Sequence, residues 1–424
     1  MLKPDQPINR YRQMLNDSLL LRTAETEQDV LRVAEFNGLI HGPGVAGMTR
    51  DLFLRHPDTS GDDLIFVEDQ RTGQVVSSLC LIPWTWHYEE SSLTSGEMGI
   101  VGTREEYRRQ GLIRAQVSVF QQRLRVRGCA LSHIQGIAYY YRQFGYQYAM
   151  PLEGGLRVTR RDVHASPLVH CIYRRAGVAD IPVLMRLYAE SSADTQIGTQ
   201  RPEHVWRYLL TTGEGSEMEC ETWLMLDDAA QIAGYFRLPA HHFGEELTVN
   251  EVSRLGFEQC VALLHHLVTL AEERHTPGVR LCLPATSVLT RVAASFGAHD
   301  LGNYAWQVSV PDVVAFLRSI APTLQRRVRQ SPFAELSRDV PIGLYRQTVR
   351  LRFVGGVLTD ISDVGFGAHS VANIPPQAFA PLALGYRSLQ EQQRTYNDLN
   401  VSAAFKLLLE VLFPPLTSFL YTLY

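Results

Sequence analysis

The chain has 424 residues, 45% of them hydrophobic and 20% charged, an ordinary globular balance for about two to four domains. Its formal net charge of -4 excludes a global basic field for nucleic acid. The longest apolar stretch, 405–416, is too short to span a membrane and contains Glu410 and two prolines.

The opening stretch, MLKPDQPINRYRQML, is polar and lacks the apolar centre of a secretion signal. The six cysteines (Cys80, Cys129, Cys171, Cys220, Cys260 and Cys282) stand singly, with no CxxC pair. That is the pattern of buried free thiols in a reducing compartment, so a soluble cytoplasmic protein is expected.

Apolar residues at helical spacing predict a helix over 28–41. The glycine-rich stretch 42–47 lacks the Gly-Lys-Ser/Thr ending of a phosphate-binding P-loop and reads as a plain loop. Strands are predicted at 64–68, 75–88 and 96–103, a helix at 112–127, a strand at 130–135 and a short helix at 139–144. The element order then repeats, with a strand from Ile172, a helix at 179–191, a hairpin at 223–238 and a strand at 247–255. A helix at 257–275, a strand at 279–283, a helix at 286–296 and a closing strand at 304–310 complete it. The last segment changes character: a helix at 313–329, strands at 342–353 and 357–361, a helix opened by Pro375-Pro376, and a helix at 403–413. The class is therefore mixed α/β (α+β) with three units, 1–165, 166–311 and 312–424.

The joint between the strand ending near Thr103 and the helix from Leu112 reads Arg108-Arg109-Gln110-Gly111-Leu112-Ile113-Arg114. A strand-to-helix turn leaves the first backbone N–H groups of the helix unpaired and partly positive, a cup for phosphate. Gly111 lets a ligand approach the backbone, and paired arginines fork onto phosphate oxygens. A diphosphate fits here; a bare RRxG also fits a solvated basic turn.

Context selects between the two. The joint, preceded by Val101-Gly102-Thr103, resembles the acetyl-CoA signature R/Q-x-x-G-x-G/A of GCN5-related N-acetyltransferases (GNAT), departing from it at Ile113-Arg114. Downstream, Tyr141-Arg142-Gln143-Phe144-Gly145-Tyr146 resembles the Y-x-x-x-G-F element that ends the cofactor site in the same superfamily. The second repeat is similar in element order, but its joint, Ser253-Arg254-Leu255-Gly256-Phe257, lacks the paired basic residues. The third segment resembles a sterol-carrier-like domain. This layout resembles the Eis (enhanced intracellular survival) family over nearly the whole chain.

The resemblance implies two tandem GNAT-like domains, the second degenerate, and acetyl-CoA as cosubstrate. Its site would comprise Ile100, Val101, Gly102, Thr103, Arg108, Arg109, Gln110, Gly111, Leu112, Ile113, Arg114, Gly136 and Ile137. Backbone groups of the strand Ile100 to Thr103 would pair with the amide-rich pantetheine arm. Tyr141 matches the family's acid; a phenol of pKa near ~10 is a competent donor to a thiolate near ~8.5. Its neighbours Tyr139 and Tyr140 read as packing aromatics, since adjacent helical residues face apart. No histidine or glutamate of the first unit stands out by motif as a base. The resemblance implies the terminal carboxylate, here of Tyr424, and the apolar tail Phe419-Leu420-Tyr421-Thr422-Leu423-Tyr424 suits burial.

Trp84, Trp86 and Tyr88 alternate along one strand face and fit either an acceptor pocket or a core stripe. Phe36 enters as an acceptor contact by family pattern alone. His241-His242 and His265-His266 lack zinc-site spacing, so no metal is expected. The expected partner is a small-molecule amine, aminoglycoside or polyamine-like, with no nucleic acid and no membrane. A homo-oligomer, hexameric by resemblance, is also implied. Two rivals stand beside this reading: a lipid or small-ligand binder with a vestigial acetyltransferase, and a protein-lysine acyltransferase.

Overall fold

The computed structural model describes residues 11–152, 154–241, 244–302 and 304–424. The first unit is built on β1 (Arg12–Met14), β2 (Leu19–Thr23), β3 (Leu64–Asp69), β4 (Gln74–Tyr88), β5 (Ser91–Thr103), β6 (Leu131–Ile134) and β7 (Gln147–Leu152). Helices α1 (Glu27–His41), α2 (Pro43–Leu54) and α3 (Leu112–Val126) belong to the same unit. The Val-, Leu- and Trp-containing run of β4 suits a central strand, and its hairpin partner β5 is nearly as long. Helix α1 opens with a capping box between Thr26 and Asp29. The glycine-rich stretch expected to be a loop instead begins α2, with Pro43 in its first turn. There Gly47 packs so closely that a Cβ would lie 2.8 Å from the Ser216 side chain. Gly44 and Gly47 serve packing, whereas Gly42, with a φ of 116° and open space beside it, serves the turn between α1 and α2.

The first sheet has nine strands, ordered β1-β2-β3-β4-β5-β6, then Tyr304–Ser309, then β7, with Ile197–Thr199 pairing to β4. This corrects the expected closing strand of the second unit: Tyr304–Ser309 lies antiparallel between β6 and β7 of the first. In return, β8 (Leu156–Val158) leaves the first unit and pairs with Val279–Leu281 and His299–Asp300. A cut at residue 165 therefore divides two sheets, whereas no sheet crosses residue 311. The middle unit's other sheet joins Glu251–Val252, Ile232–Pro239, Cys220–Leu226 and Ile172–Arg175.

The third unit holds a five-stranded sheet. The single strand expected over 342–353 is a hairpin of Arg338–Gly343 and Thr348–Val354. The helix expected over 313–329 is two helices, Val313–Ser319 and Ala321–Arg329, the second with Pro322 in its first turn where no N–H is needed. The mixed α/β class and the three-part order hold. Among the described residues no helix is long and apolar enough to cross a membrane.

From the third unit the tail returns across the other two. Ser418 bridges Ile197 in parallel, and Phe419 N donates to the Ile197 carbonyl at 3.0 Å. Thr199 Oγ1 donates to the Tyr421 carbonyl at 2.8 Å, and Arg201 Nη2 to the Thr422 carbonyl at 2.7 Å. His56 Nε2 lies 3.3 Å from the Leu423 carbonyl. Phe419, Leu420, Tyr421 and Leu423 are buried in an apolar core that runs through all three units. Arg201 is also forked onto Glu251 at 2.8 and 2.9 Å, with both side chains buried. Arg201→Met takes the forked partner from that carboxylate, leaving it the more distant Arg237 guanidinium at 3.6 Å, and frees the tail. A loss of about 3–5 kcal/mol is expected in denaturant titration, together with faster proteolysis of the last residues; an unchanged midpoint would show that the tail is not held this way.

Candidate active site

Strands β5 and β6 pair in parallel only from Ser95–Glu97 against Leu131–His133. Beyond that point the two strands share no ladder. On its other edge β5 carries a bulge: Gly99 faces Cys80 and Gly102 faces Ser78, so Ile100 and Val101 together oppose Leu79. Ile100 takes a φ of 48°, a strained value for a β-branched residue. The bulge and the missing ladder turn the end of β5 toward open space.

One cavity, of about 710 Å³, is walled by Val101, Gly102 and Thr103 on one side and by Tyr107 to Arg109 and Gly111 to Arg114 on the other. Tyr107 Oη donates to Asp69 at 2.9 Å and ties the loop down. Arg109 and Gly111 then take left-handed φ values of 64° and 78°, and α3 begins with no side chain capping its first N–H groups. Arg108, Arg109 and Arg114 are exposed at this mouth, and no carboxylate among the described residues pairs with them. An uncapped helix start beside three guanidiniums fits a polyanionic phosphate group.

Most of the expected cofactor residues meet here: Val101, Gly102, Thr103, Arg108, Arg109, Gly111, Leu112, Ile113, Arg114 and Ile137. Gln110 turns away, its Nε2 donating to the Glu106 carbonyl at 3.4 Å. Ile100 and Gly136 line a second cavity, of about 650 Å³, between the first and middle units. His41, Val101, Ile137 and Tyr141 line both cavities, so Tyr141 stands at their junction.

Tyr141 is only 6% exposed, and burial pushes its phenol above the ordinary tyrosine value. Its ring lies over Gly136, where a Cβ would approach within 2.2 Å. The Gly136 carbonyl accepts from Gln307 Nε2 at 2.7 Å and from the Tyr304 hydroxyl. Both donors sit on the exchanged strand. Tyr139 differs from its expected packing role, being exposed with the Arg142 guanidinium over its ring, whereas Tyr140 packs edge-on against Tyr141 and Phe144 and also lines the first cavity.

Tyr424 lines the second cavity. Its hydroxyl reaches both oxygens of Glu97 at 2.7 Å. Burial pushes the Glu97 carboxyl up to about 8. Two site residues were thus missed from sequence. Glu97 is a lone acid in the apolar strand pattern Gly96-Glu97-Met98-Gly99, a signal in itself. His41 sits at the end of α1; burial lowers its pKa while nearby Glu217 opposes the shift.

Three expected acceptor contacts are corrected. Phe36, Trp84 and Trp86 are at most 2% exposed and line neither cavity. The alternating aromatics are the core stripe: Trp84 packs edge-on against His133, Trp306 and the Tyr424 ring, and Trp86 against His133. The second unit's joint is also occupied, with Arg254 Nε on Asp194 at 3.0 Å.

Glu97 gives a pH signature. The folded chain keeps a proton to about 8 that the unfolded chain releases near ~4.3, so this group's contribution to stability falls as pH rises between them. Glu97→Gln cannot titrate. Between about pH 5 and 8 the native melting temperature is expected to fall relative to the variant; parallel curves would mean that water solvates Glu97. Gly136→Ala should push the Tyr141 ring aside and lower turnover at least about tenfold, measured as kcat with the fold checked by circular dichroism.

Residues 46–149 match the Acetyltransferase (GNAT) domain family. No curated protein sequence matches the chain. Among solved structures, a conserved protein of unknown function from Enterococcus faecalis V583, described as a probable N-acyltransferase, superposes with a TM-score of 0.70 at 14% identity, covering 96% of this chain and 100% of its own. A GCN5-related N-acetyltransferase from Anabaena variabilis gives 0.66 at 14% identity, over 95% of this chain and 99% of its own. Eis1 from Mycobacterium abscessus gives 0.63 at 15% identity, over 95% and 99%. At such identities the likeness establishes a shared fold. With the domain match across β4, the joint and Tyr141, it leads to one conclusion: residues 46–149 match the GNAT acetyltransferase domain, within a chain whose fold is shared with N-acetyltransferase structures.

Proposed function

We propose that the protein transfers the acetyl group of acetyl-CoA to a primary amine of a small molecule by direct attack, in the manner of the Eis-like enzymes. The observation that carries this reading is the junction at Tyr141, where a phosphate-suited cavity opens into a second one lined by carboxylates.

Acetyl-CoA supplies an acyl group activated as a thioester. The residues Val101 to Thr103 and Arg108 to Arg114 would hold its pantetheine arm and phosphates. Tyr141 keeps its proton through the neutral range, the state required of a donor to the departing sulfur. An alkylammonium acceptor is mostly charged at neutral pH, so a base must take its proton. That role is assigned to the α-carboxylate of Tyr424, with Glu97 seating the residue through its hydroxyl. The third unit would then act by delivering the tail, whether or not its sterol-carrier-like fold carries lipid. The reading includes a cytoplasmic homo-hexamer, as the resemblance implies.

CoA release with an amine panel tests the assignment. Tyr141→Phe is expected to lower kcat about 10²- to 10⁴-fold while acetyl-CoA binding by calorimetry stays intact. Extending the chain a few residues past Tyr424 is expected to do the same. Full activity of the extended chain would move the base to Glu97 or His41, and loss of acetyl-CoA binding by the native chain would sink the reading.

A further inference from the structure

The middle unit's wall of the second cavity has a property that acyl transfer does not use. Three buried polar atoms, Arg237 Nη1, Thr248 Oγ1 and Asn250 Oδ1, have no hydrogen-bond partner among the described residues. All three residues line the cavity that also holds Tyr141, Glu97 and Tyr424. Folded proteins rarely leave such atoms unpaired, because each has given up water for nothing. Three on one wall of one cavity mark the complement of a polar ligand.

Arg237 supplies the charge. It lies on Ile232–Pro239, is 2% exposed, and spends its Nε on Thr222 Oγ1 at 3.3 Å. The carboxylate it approaches, Glu251, stands 3.6 Å from Nη1. Glu251 already accepts both Nη atoms of Arg201 at 2.8 and 2.9 Å and the Tyr235 hydroxyl at 2.5 Å. The buried group thus holds two guanidiniums and one carboxylate. An excess buried cation demands a counter-anion, and a guanidinium matches a planar carboxylate best. Arg280 also lines the cavity, with its Nε on the Gly154 carbonyl at 2.8 Å.

The junction end has the opposite character. Glu97, on β5, lines the same cavity as Tyr141, and Glu217 lies beside His41, held by its N–H to the Gly44 carbonyl at 3.0 Å. Glu219 lines the cavity as well. The amine belongs at this end, because acyl transfer occurs there.

The geometry points to an acceptor that carries a carboxylate as well as its amine: an amino acid or short peptide, with its carboxylate on Arg237 and the Thr248 hydroxyl, and an N–H of the same ligand donating to Asn250 Oδ1. This rests on the acetyltransferase reading and narrows it away from purely cationic acceptors such as aminoglycosides and polyamines.

The test compares L-lysine and 6-aminohexanoate with lysine methyl ester and cadaverine. It uses kcat/KM with acetyl-CoA, and separately calorimetry on the full chain without thioester. The two acids are expected to exceed the ester and the diamine by about tenfold to a hundredfold. Arg237→Met should collapse that ratio and Arg237→Lys should restore part of it. Thr248→Val removes a hydroxyl that bonds nothing among the described residues; it should lower the ratio several-fold even if the Arg237 variants fail to fold. Cadaverine equal to or better than lysine in the native chain overturns the proposal, as does a ratio insensitive to Thr248→Val and Arg237→Met alike. If no amine is acetylated, the acetyltransferase assignment falls and calorimetry decides the subsite by itself. Lysine binding lost in Arg237→Met then upholds the subsite; equal or absent binding of lysine and cadaverine overturns it.

Discussion

Two parallel strands that stop pairing after Glu97 and His133 shape everything at this site. Backbone groups freed from a ladder must find other partners or stay open to a ligand. The bulge at Ile100 and Val101 keeps the end of β5 from closing the gap, and its positive φ shows that the surroundings enforce it. The basic joint, Tyr141 and Glu97 all border the space that results.

That space is finished by parts of the chain distant in sequence. Gln307 and Tyr304 hold the Gly136 carbonyl, and Gly136 leaves room for the Tyr141 ring. The tail, fastened to the segment 196–201, brings the Tyr424 hydroxyl to Glu97. The middle unit contributes the Arg237 wall. A buried carboxyl near 8 and a guanidinium lacking a full partner both cost stability. Their retention beside one cavity is what a functional site looks like energetically.

The sequence made the joint and Tyr141 legible, because both depend on local spacing: a strand, a turn with Gly111, a helix start, and a tyrosine on the next short helix. It made the core aromatics ambiguous. Alternation at Trp84 and Trp86 says that they share a face, but not what covers that face; here His133, Trp306 and Tyr424 do. Glycines at 44 and 47 read as a loop because their role, close approach to residues 216 and 217, is non-local. Glu97, Gln307 and Arg237 stayed hidden for the same reason: each gains meaning only from a partner more than a hundred residues away or from a cavity wall. The repeat in element order was visible, but the exchange of strands between its halves was not, since either assignment of Tyr304–Ser309 preserves the pattern.

That exchange has a consequence for how the molecule comes into being. The gap between β6 and β7 is filled by a strand synthesised some 150 residues after β7, as the pairing of Leu152 with Tyr304 requires. Until then the acetyltransferase unit has a split sheet with two open edges, a surface prone to wrong pairings. Strand pairings this remote in sequence also slow folding. The unit that holds the joint and Tyr141 cannot complete its sheet before the middle unit is made, so the middle unit serves as a scaffold on which the first is finished.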